Sequence, residues 1–198
     1  MADIKHFDPD TVLDTVVLLF WQRGTADTGI RDVVAATGLS RSSLYATFGG
    51  KRELHLAALE RYAEHRSRPP LDRLAADDRG LPAVEEFFTR LVETRCTGAQ
   101  AGWGCLVSNT HTAPGPADPA VRALLDRQHE RLRTALHTAL RTARQRRQLA
   151  PDTDPDAAAE LLALLTHGIN LRSRAGADPA RLRAVATTAL DALTPRPA

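Results

Sequence analysis

Apolar residues recur along the chain at intervals of three and four, the spacing of one face of an α-helix. No segment keeps the two-residue alternation of a strand. Val12, Val16, Leu19 and Phe20 form such a face over Pro9 to Gln22, which Gly24 ends, and Phe7 is placed to pack on Val12 as a hydrophobic staple. Ile30, Val33 and Val34 mark a short second helix with Thr28 as its N-cap and Gly38 as its stop. Ser40 caps a third, with Leu44 and Phe48 inward. Gly49-Gly50 then breaks the chain before Lys51 to about His65, where Leu54, Ala58 and Tyr62 share one side. Residues 66–82 hold Pro69-Pro70, Asp77-Asp78 and Gly80 and read as a connector with room for helical turns. Further helices are expected over Pro82–Cys96, Ala120 to about Gln148, 155–174 and 179–193, with room for one short helix in the Gly-, Pro- and Thr-rich stretch between Thr97 and Pro119. Asp-Pro occurs four times, at Asp8-Pro9, Asp118-Pro119, Asp154-Pro155 and Asp178-Pro179. Each reads as a helix start, because Asp accepts bonds from first-turn N–H groups and Pro has no N–H to leave unpaired. The fold class is all-α.

The second and third short helices are joined by TGLS, which makes a helix-turn-helix: a glycine that tolerates left-handed backbone, then Leu39 to plug the core. In such a unit the second helix lies in the DNA major groove, so its exposed face must be polar and short-sided. Arg41, Ser42, Ser43 and Thr47 fit that need, and Tyr45 offers a rigid hydroxyl suited to a phosphate oxygen. Lys51 and Arg52 open the next helix, where free N–H groups also favour an anion. The net charge of the 198 residues is only +2, so the chain is no polycation, and nucleic-acid binding needs charge gathered locally. Gly38 to Arg52 supplies it, with three basic residues and no acid. A solvated helix face is the alternative reading of Ser42, Ser43 and Thr47, and a core tyrosine with a wet tip that of Tyr45.

The stretch TGIRDVVAATGLSRSSLYATFGGKRELHLAALERY, residues 28–62, resembles the DNA-binding domain of TetR-family repressors, as does the lead-in VLLFWQRG, residues 17–24. The resemblance implies an N-terminal three-helix DNA-binding domain, residues 1–50, and a helical ligand-binding and dimerisation domain, residues 51–198, with helix 51–65 as the linker. It implies a homodimer on palindromic double-stranded operator DNA, released when a small molecule moves the linking helix. Carried across, Thr28 and Tyr45 hold phosphates, Arg41 to Ser43 sit near bases, and Lys51 clamps the backbone. Gly29 departs from the family's common Ser or Thr, and Thr25 from a frequent aromatic.

Residues 161–193 look like the last two helices of the same family, which form a four-helix dimer interface. Their own pattern agrees: Leu161, Leu162, Leu165 and Ile169, then Leu182, Val185, Ala189 and Leu193, make an apolar surface too broad for one helix to bury alone. The segment GWGCLVSNT, residues 102–110, resembles a GCL…NT stretch of one family branch, some members of which sense reactive electrophiles or small unsaturated compounds, in some cases through this cysteine. The ligand pocket is therefore expected among Phe87, Phe88, Leu91, Trp103 and Cys105, with an apolar small molecule as effector.

Two cysteines, Cys96 and Cys105, provide neither a disulfide framework nor a four-ligand zinc pattern, and no cofactor or metal is expected. The polar opening Met1–Asp10 and the lack of any apolar run near ~20 residues predict a cytoplasmic protein with no membrane span. No hydrolase, metalloprotease or phosphate-loop motif occurs. His129 and His137 lie on one helix face without a carboxylate–histidine pattern and read as surface residues, and the arginines of 141–147 read as complements to a helix C-terminus. A helical enzyme or interaction module without DNA binding is the alternative function.

Overall fold

Each of the four Asp-Pro pairs opens a helix. In this computed structural model, which describes residues 7–113 and 118–195, the carboxylates of Asp8, Asp118, Asp154 and Asp178 accept first-turn N–H groups, at 2.9 Å for Ala120 and for Ala180. The described residues form α1 (Pro9–Arg23), α2 (Ile30–Thr37), α3 (Arg41–Phe48), α4 (Lys51–Tyr62), α5 (Arg68–Ala76), α6 (Leu81–Cys96), α7 (Leu106–His111), α8 (Pro119–Gln145), α9 (Pro155–Arg174) and α10 (Pro179–Asp191), with no strand among them. No helix is long and apolar enough to cross a membrane among these residues.

Two apolar cores form. The first joins α1, α2, α3 and α4, with Val16, Phe20, Val33, Leu44, Leu54 and Tyr62 nearly or fully buried, and it continues into α7 and the start of α8 through Cys105, Leu106 and Leu124. The second is built by α5, α6, α8, α9 and α10 around Phe88, Leu136, Leu140 and Leu162. Burying a leucine such as Leu44 stabilises by roughly 1.5–3 kcal/mol, and that burial holds the short helix α3 in place, since eight residues alone make a marginal helix.

Two expectations change. Residues 66–82 are mostly helix: a π-helical turn, Ala63–Ser67, carries α4 directly into α5. Pro69 and Pro70 fall in the first turn of α5, the part of a helix that tolerates proline best, and the path continues through them. The N-cap of α2 is Gly29 and not Thr28. Asp32 accepts the Gly29 N–H at 2.7 Å, while the Thr28 side chain is fully buried and its hydroxyl donates to the Gly24 carbonyl at 2.7 Å.

Candidate nucleic-acid interface and the cavity behind it

The turn between α2 and α3 depends on Gly38, whose φ of 71° is left-handed and whose N–H closes α2 on the Val34 carbonyl. Ser40 then caps α3, its Oγ accepting the Ser43 N–H at 3.1 Å and lying 2.9 Å from the hydroxyls of both Ser42 and Ser43. With Leu44 buried, α3 turns Arg41, Ser42 and Tyr45 outward and leaves Ser43 and Thr47 half-exposed. Tyr45 is 37% exposed, so it is no core tyrosine. Arg41 lies over its ring, 5.2 Å from the centroid, and donates to its hydroxyl at 3.2 Å, which places a cation and a phenol side by side on the open face.

Lys51 begins α4 just past Gly50, half-exposed and without an ion-pair partner among the described residues. Its neighbour is different. Arg52 pairs with Glu53 and with Asp118, donating to Asp118 Oδ1 at 2.9 Å, and these bonds raise the pKa of the guanidinium. Arg52 thus ties the start of α4 to the start of α8 instead of adding a free cation to the face. Thr28 also lies off that face, because its side chain is buried.

Sequence reasoning missed the joints within the first core and between the two cores. Arg61 of α4 grips Asp14 of α1 with two bonds, at 2.6 and 2.8 Å, which hold the Asp14 carboxyl below the usual carboxylate range. Arg174, at the end of α9, donates to the carbonyls of Trp21 at 3.0 Å, Gln22 at 3.2 Å and Trp103 at 2.9 Å. Trp21 is buried, its indole N–H donates to the Gly104 carbonyl at 3.0 Å, and its ring meets Tyr62 and Trp103 edge to face. The end of α1 is thereby fastened to α4, α9 and the segment before α7. No local pattern announces such joints; only the carbonyl-rich C-terminus of α1 hints that a cation would be welcome there.

Beside Trp21 opens a cavity of about 410 Å³. Its buried lining comes from Trp21, Leu74 and Ala83, with Phe87 and Leu91 half-buried, and His65 and Arg66 of the π-helical turn stand at its edge. The cavity therefore gathers Phe87 and Leu91 of the expected ligand set, but not the rest. Phe88 points into the second core, because adjacent positions on a helix lie about 100° apart. Trp103 packs on Trp21, and Cys105 is buried in the first core. Of the expected dimer residues, Leu161 and Val185 are each 51% exposed, whereas Leu165 and Ala189 are partly buried, and Ile169 and Leu182 belong to the core of the protomer. Leu164, outside the expected set, is the most open of these at 57%.

The surface histidines read from the sequence are partly enclosed. Ser108 Oγ lies 3.0 Å from His167 Nδ1, His167 Nε2 is 3.4 Å from His129 Nδ1, and His129 Nε2 is 3.2 Å from Glu160. Burial, with His111 and His129 nearby, pushes the His167 pKa down to about 4. No group of three or more potential ligands that could hold a metal ion is found among the described residues.

The comparisons with known proteins agree with this layout. Residues 12–58 match the model of bacterial regulatory proteins of the tetR family, and residues 80–189 match that of the tetracyclin repressor-like C-terminal domain. The chain is 28% identical over 186 residues to the HTH-type transcriptional repressor ComR of Escherichia coli strain K12, covering 94% of this chain and 89% of that one. It is 29% identical over 184 residues to the HTH-type transcriptional regulator YezE of Bacillus subtilis strain 168, covering 92% and 94%. Among solved structures, a cysteine mutant of the TetR family transcriptional regulator CifR, complexed with 26 bp double-strand operator DNA, superposes with a TM-score of 0.83 at 28% identity, over 96% of this chain and 99% of that one.

Proposed function

Because this chain belongs to the TetR family of bacterial regulatory proteins and is a DNA-binding transcriptional regulator, we propose that it is a cytoplasmic homodimeric repressor that leaves a palindromic operator when a small molecule fills the cavity beside Trp21. The carrying observation is the composition of that cavity wall. Trp21 comes from α1 of the DNA-reading unit, His65 and Arg66 from the π-helical turn that follows α4, and Phe87 and Leu91 from α6. An occupant touches the reading unit and the regulatory helices at once, so it can favour one relative placement of the two over the other. The π-helical turn at Ala63–Ser67 lies at the same wall, and such turns are frequent at functional sites.

In this reading Arg41, Ser42 and Ser43 approach base edges in the major groove, while Tyr45, Thr47 and Lys51 meet the backbone. Thr28 helps only indirectly, by fixing the entry to α2 through its bond to Gly24. Dimerisation uses the open face of Leu161, Leu164, Leu165, Val185 and Ala189, with Ile169 and Leu182 stiffening that face from within. Three large apolar side chains more than half exposed on two neighbouring helices mark a surface that water solvates poorly and a second copy covers well. Cys105 is a packing residue next to Tyr62, not a wall of the cavity. The test is fluorescence anisotropy with DNA from the promoter region beside the protein's own gene. A two-fold protein should retain one inverted repeat and release scrambled DNA of equal length. Equal retention of both sequences would overturn the repressor reading.

A further inference from the structure

The cavity beside Trp21 is more basic than an apolar effector requires. Arg66, Arg73, Arg79, Arg90 and Arg95 all contribute to its lining, against Asp77 and Glu86. Both carboxylates are already engaged: Arg79 binds Asp77 and Glu86, and Arg90 binds Glu86 as well. Those bonds hold both carboxyls below the ordinary range, Asp77 at about 2, so neither takes up a proton near neutral pH to change the balance. Arg66, Arg73 and Arg95 have no carboxylate partner among the described residues.

Arg95 is the informative one. It is half-buried, and its guanidinium stands 5.8 Å from the Trp21 ring centroid. Its Nε donates to Asn170 Oδ1 at 2.6 Å, and Asn170 is itself held by a bond to the Thr166 carbonyl at 2.9 Å. The side chain is therefore set from behind, while its two terminal amino groups have no acceptor among the described residues. A guanidinium fixed in this way presents N–H groups in the fork that matches a carboxylate. Next to it lie Trp21, Leu74, Phe87 and Leu91, an apolar floor. At about 410 Å³ the cavity is within the roughly 300–1,000 Å³ range of small-molecule sites.

We propose that the cavity takes a small organic carboxylate with an apolar body, its carboxylate on Arg95 and its body against Trp21, Phe87 and Leu91. Arg66 and Arg73, exposed at the mouth, attract the anion and hold it from the solvent side. This rests on the reading of the cavity as the effector site, and it replaces the neutral effector expected from sequence with a charged one. The physical reason is selectivity. An ionic fork beside an apolar floor rejects a neutral analogue, which would leave the guanidinium desolvated without an acceptor.

The test titrates the full-length protein with octanoate and phenylacetate and with their neutral amides, octanamide and phenylacetamide. Calorimetry reads binding, and anisotropy of the operator complex reads release. At least one carboxylate should bind about tenfold or more tightly than its own amide, the difference expected for one charge-assisted hydrogen bond. That preference should disappear in Arg95→Gln and fall without vanishing in Arg95→Lys, which keeps the charge and loses the fork, and Arg73→Gln, at the exposed rim, should reduce it. If neither carboxylate outbinds its amide in the wild type, or if Arg95→Gln, still cooperatively folded by its thermal melt, keeps the preference, the proposal is wrong. Should Arg95→Gln not fold, Arg73→Gln decides alone: an unchanged preference there overturns it. Operator binding by the ligand-free protein is recorded separately. Its loss would sink the repressor reading, whereas intact operator binding without carboxylate preference sinks only the present inference.

Discussion

Gly104 tests whether the joint between the reading unit and the regulatory helices is as tight as described. Its φ is +67°, and a Cβ there would stand 2.9 Å from the Asn170 carbonyl oxygen, 3.0 Å from Asn109 Oδ1 and 3.1 Å from the Arg174 Cβ. Gly102, two residues earlier, also has a positive φ, +74°, but nothing lies within 4 Å of its would-be Cβ. The two alanine variants therefore share a conformational penalty and differ in collision. Left-handed backbone for alanine costs about 1 kcal/mol, so Gly102→Ala should lower Tm by roughly 2–4 °C in a chain of this size. Gly104→Ala adds displacement of backbone on α9, about 2 kcal/mol more by analogy with overpacked cores, and should lower Tm by roughly 6–12 °C. Calorimetry at one fixed protein concentration isolates the difference, because self-association adds to apparent stability. The Gly104 carbonyl accepts the Trp21 indole N–H at 3.0 Å. In a Trp103→Phe background, Gly104→Ala should therefore also shift Trp21 emission to the red. Equal melting of the two variants, with unchanged emission, would refute the packing argument at this joint.

Three further outcomes follow from the same geometry. Lys51→Ala should weaken operator binding for all sequences alike and reduce the slope of log K against log salt by about one, measured by anisotropy across salt concentrations; an unchanged slope would take Lys51 off the phosphate backbone. Leu164→Arg, at a position 57% exposed in the protomer, should yield folded monomers in sedimentation, since it sets an unpaired charge in the proposed interface; a persistent dimer would move the interface elsewhere. The His167 pKa falls from 6.5 to about 4 on folding, so the unfolded chain binds the extra proton between those values. Stability should thus be complete above about pH 6.5 and decline as pH falls toward about 4, by on the order of 2 kcal/mol after allowance for partial exposure. His167→Gln should lose that component in denaturant unfolding at pH 7 and pH 4.5, and a variant with the wild-type pH dependence would assign it to other groups.

Much of this molecule is written locally. Helix starts are legible because a cap is a contact within three residues: Asp8, Asp118, Asp154 and Asp178 each bind their own first turn, as the Asp-Pro pairs announce. The reading helix is legible for the same reason, since Gly38, Ser40 and the apolar position Leu44 set its start, its cap and its inward face within seven residues. What the tertiary structure alone decided are the choices among equivalent local options. Leu161 and Ile169 belong to one apolar pattern, yet one is open to a partner and the other sits in the core, because the neighbouring helices cover only part of α9. Phe87 and Phe88 differ by one position, and only the packing of α6 against α8 and α10 sends the second inward and leaves the first to the cavity. Thr28 could cap α2 or bond backward, and a glycine assisted by Asp32 took the cap. Arginine meets its partner at whatever distance the chain path dictates: Arg52 finds Asp118, 66 residues on, and Arg174 finds Trp21, 153 residues back. An ion pair between distant positions, like a cavity wall, carries no signature in the residues on either side of it, because its energy exists only after the chain has folded and brought distant groups together.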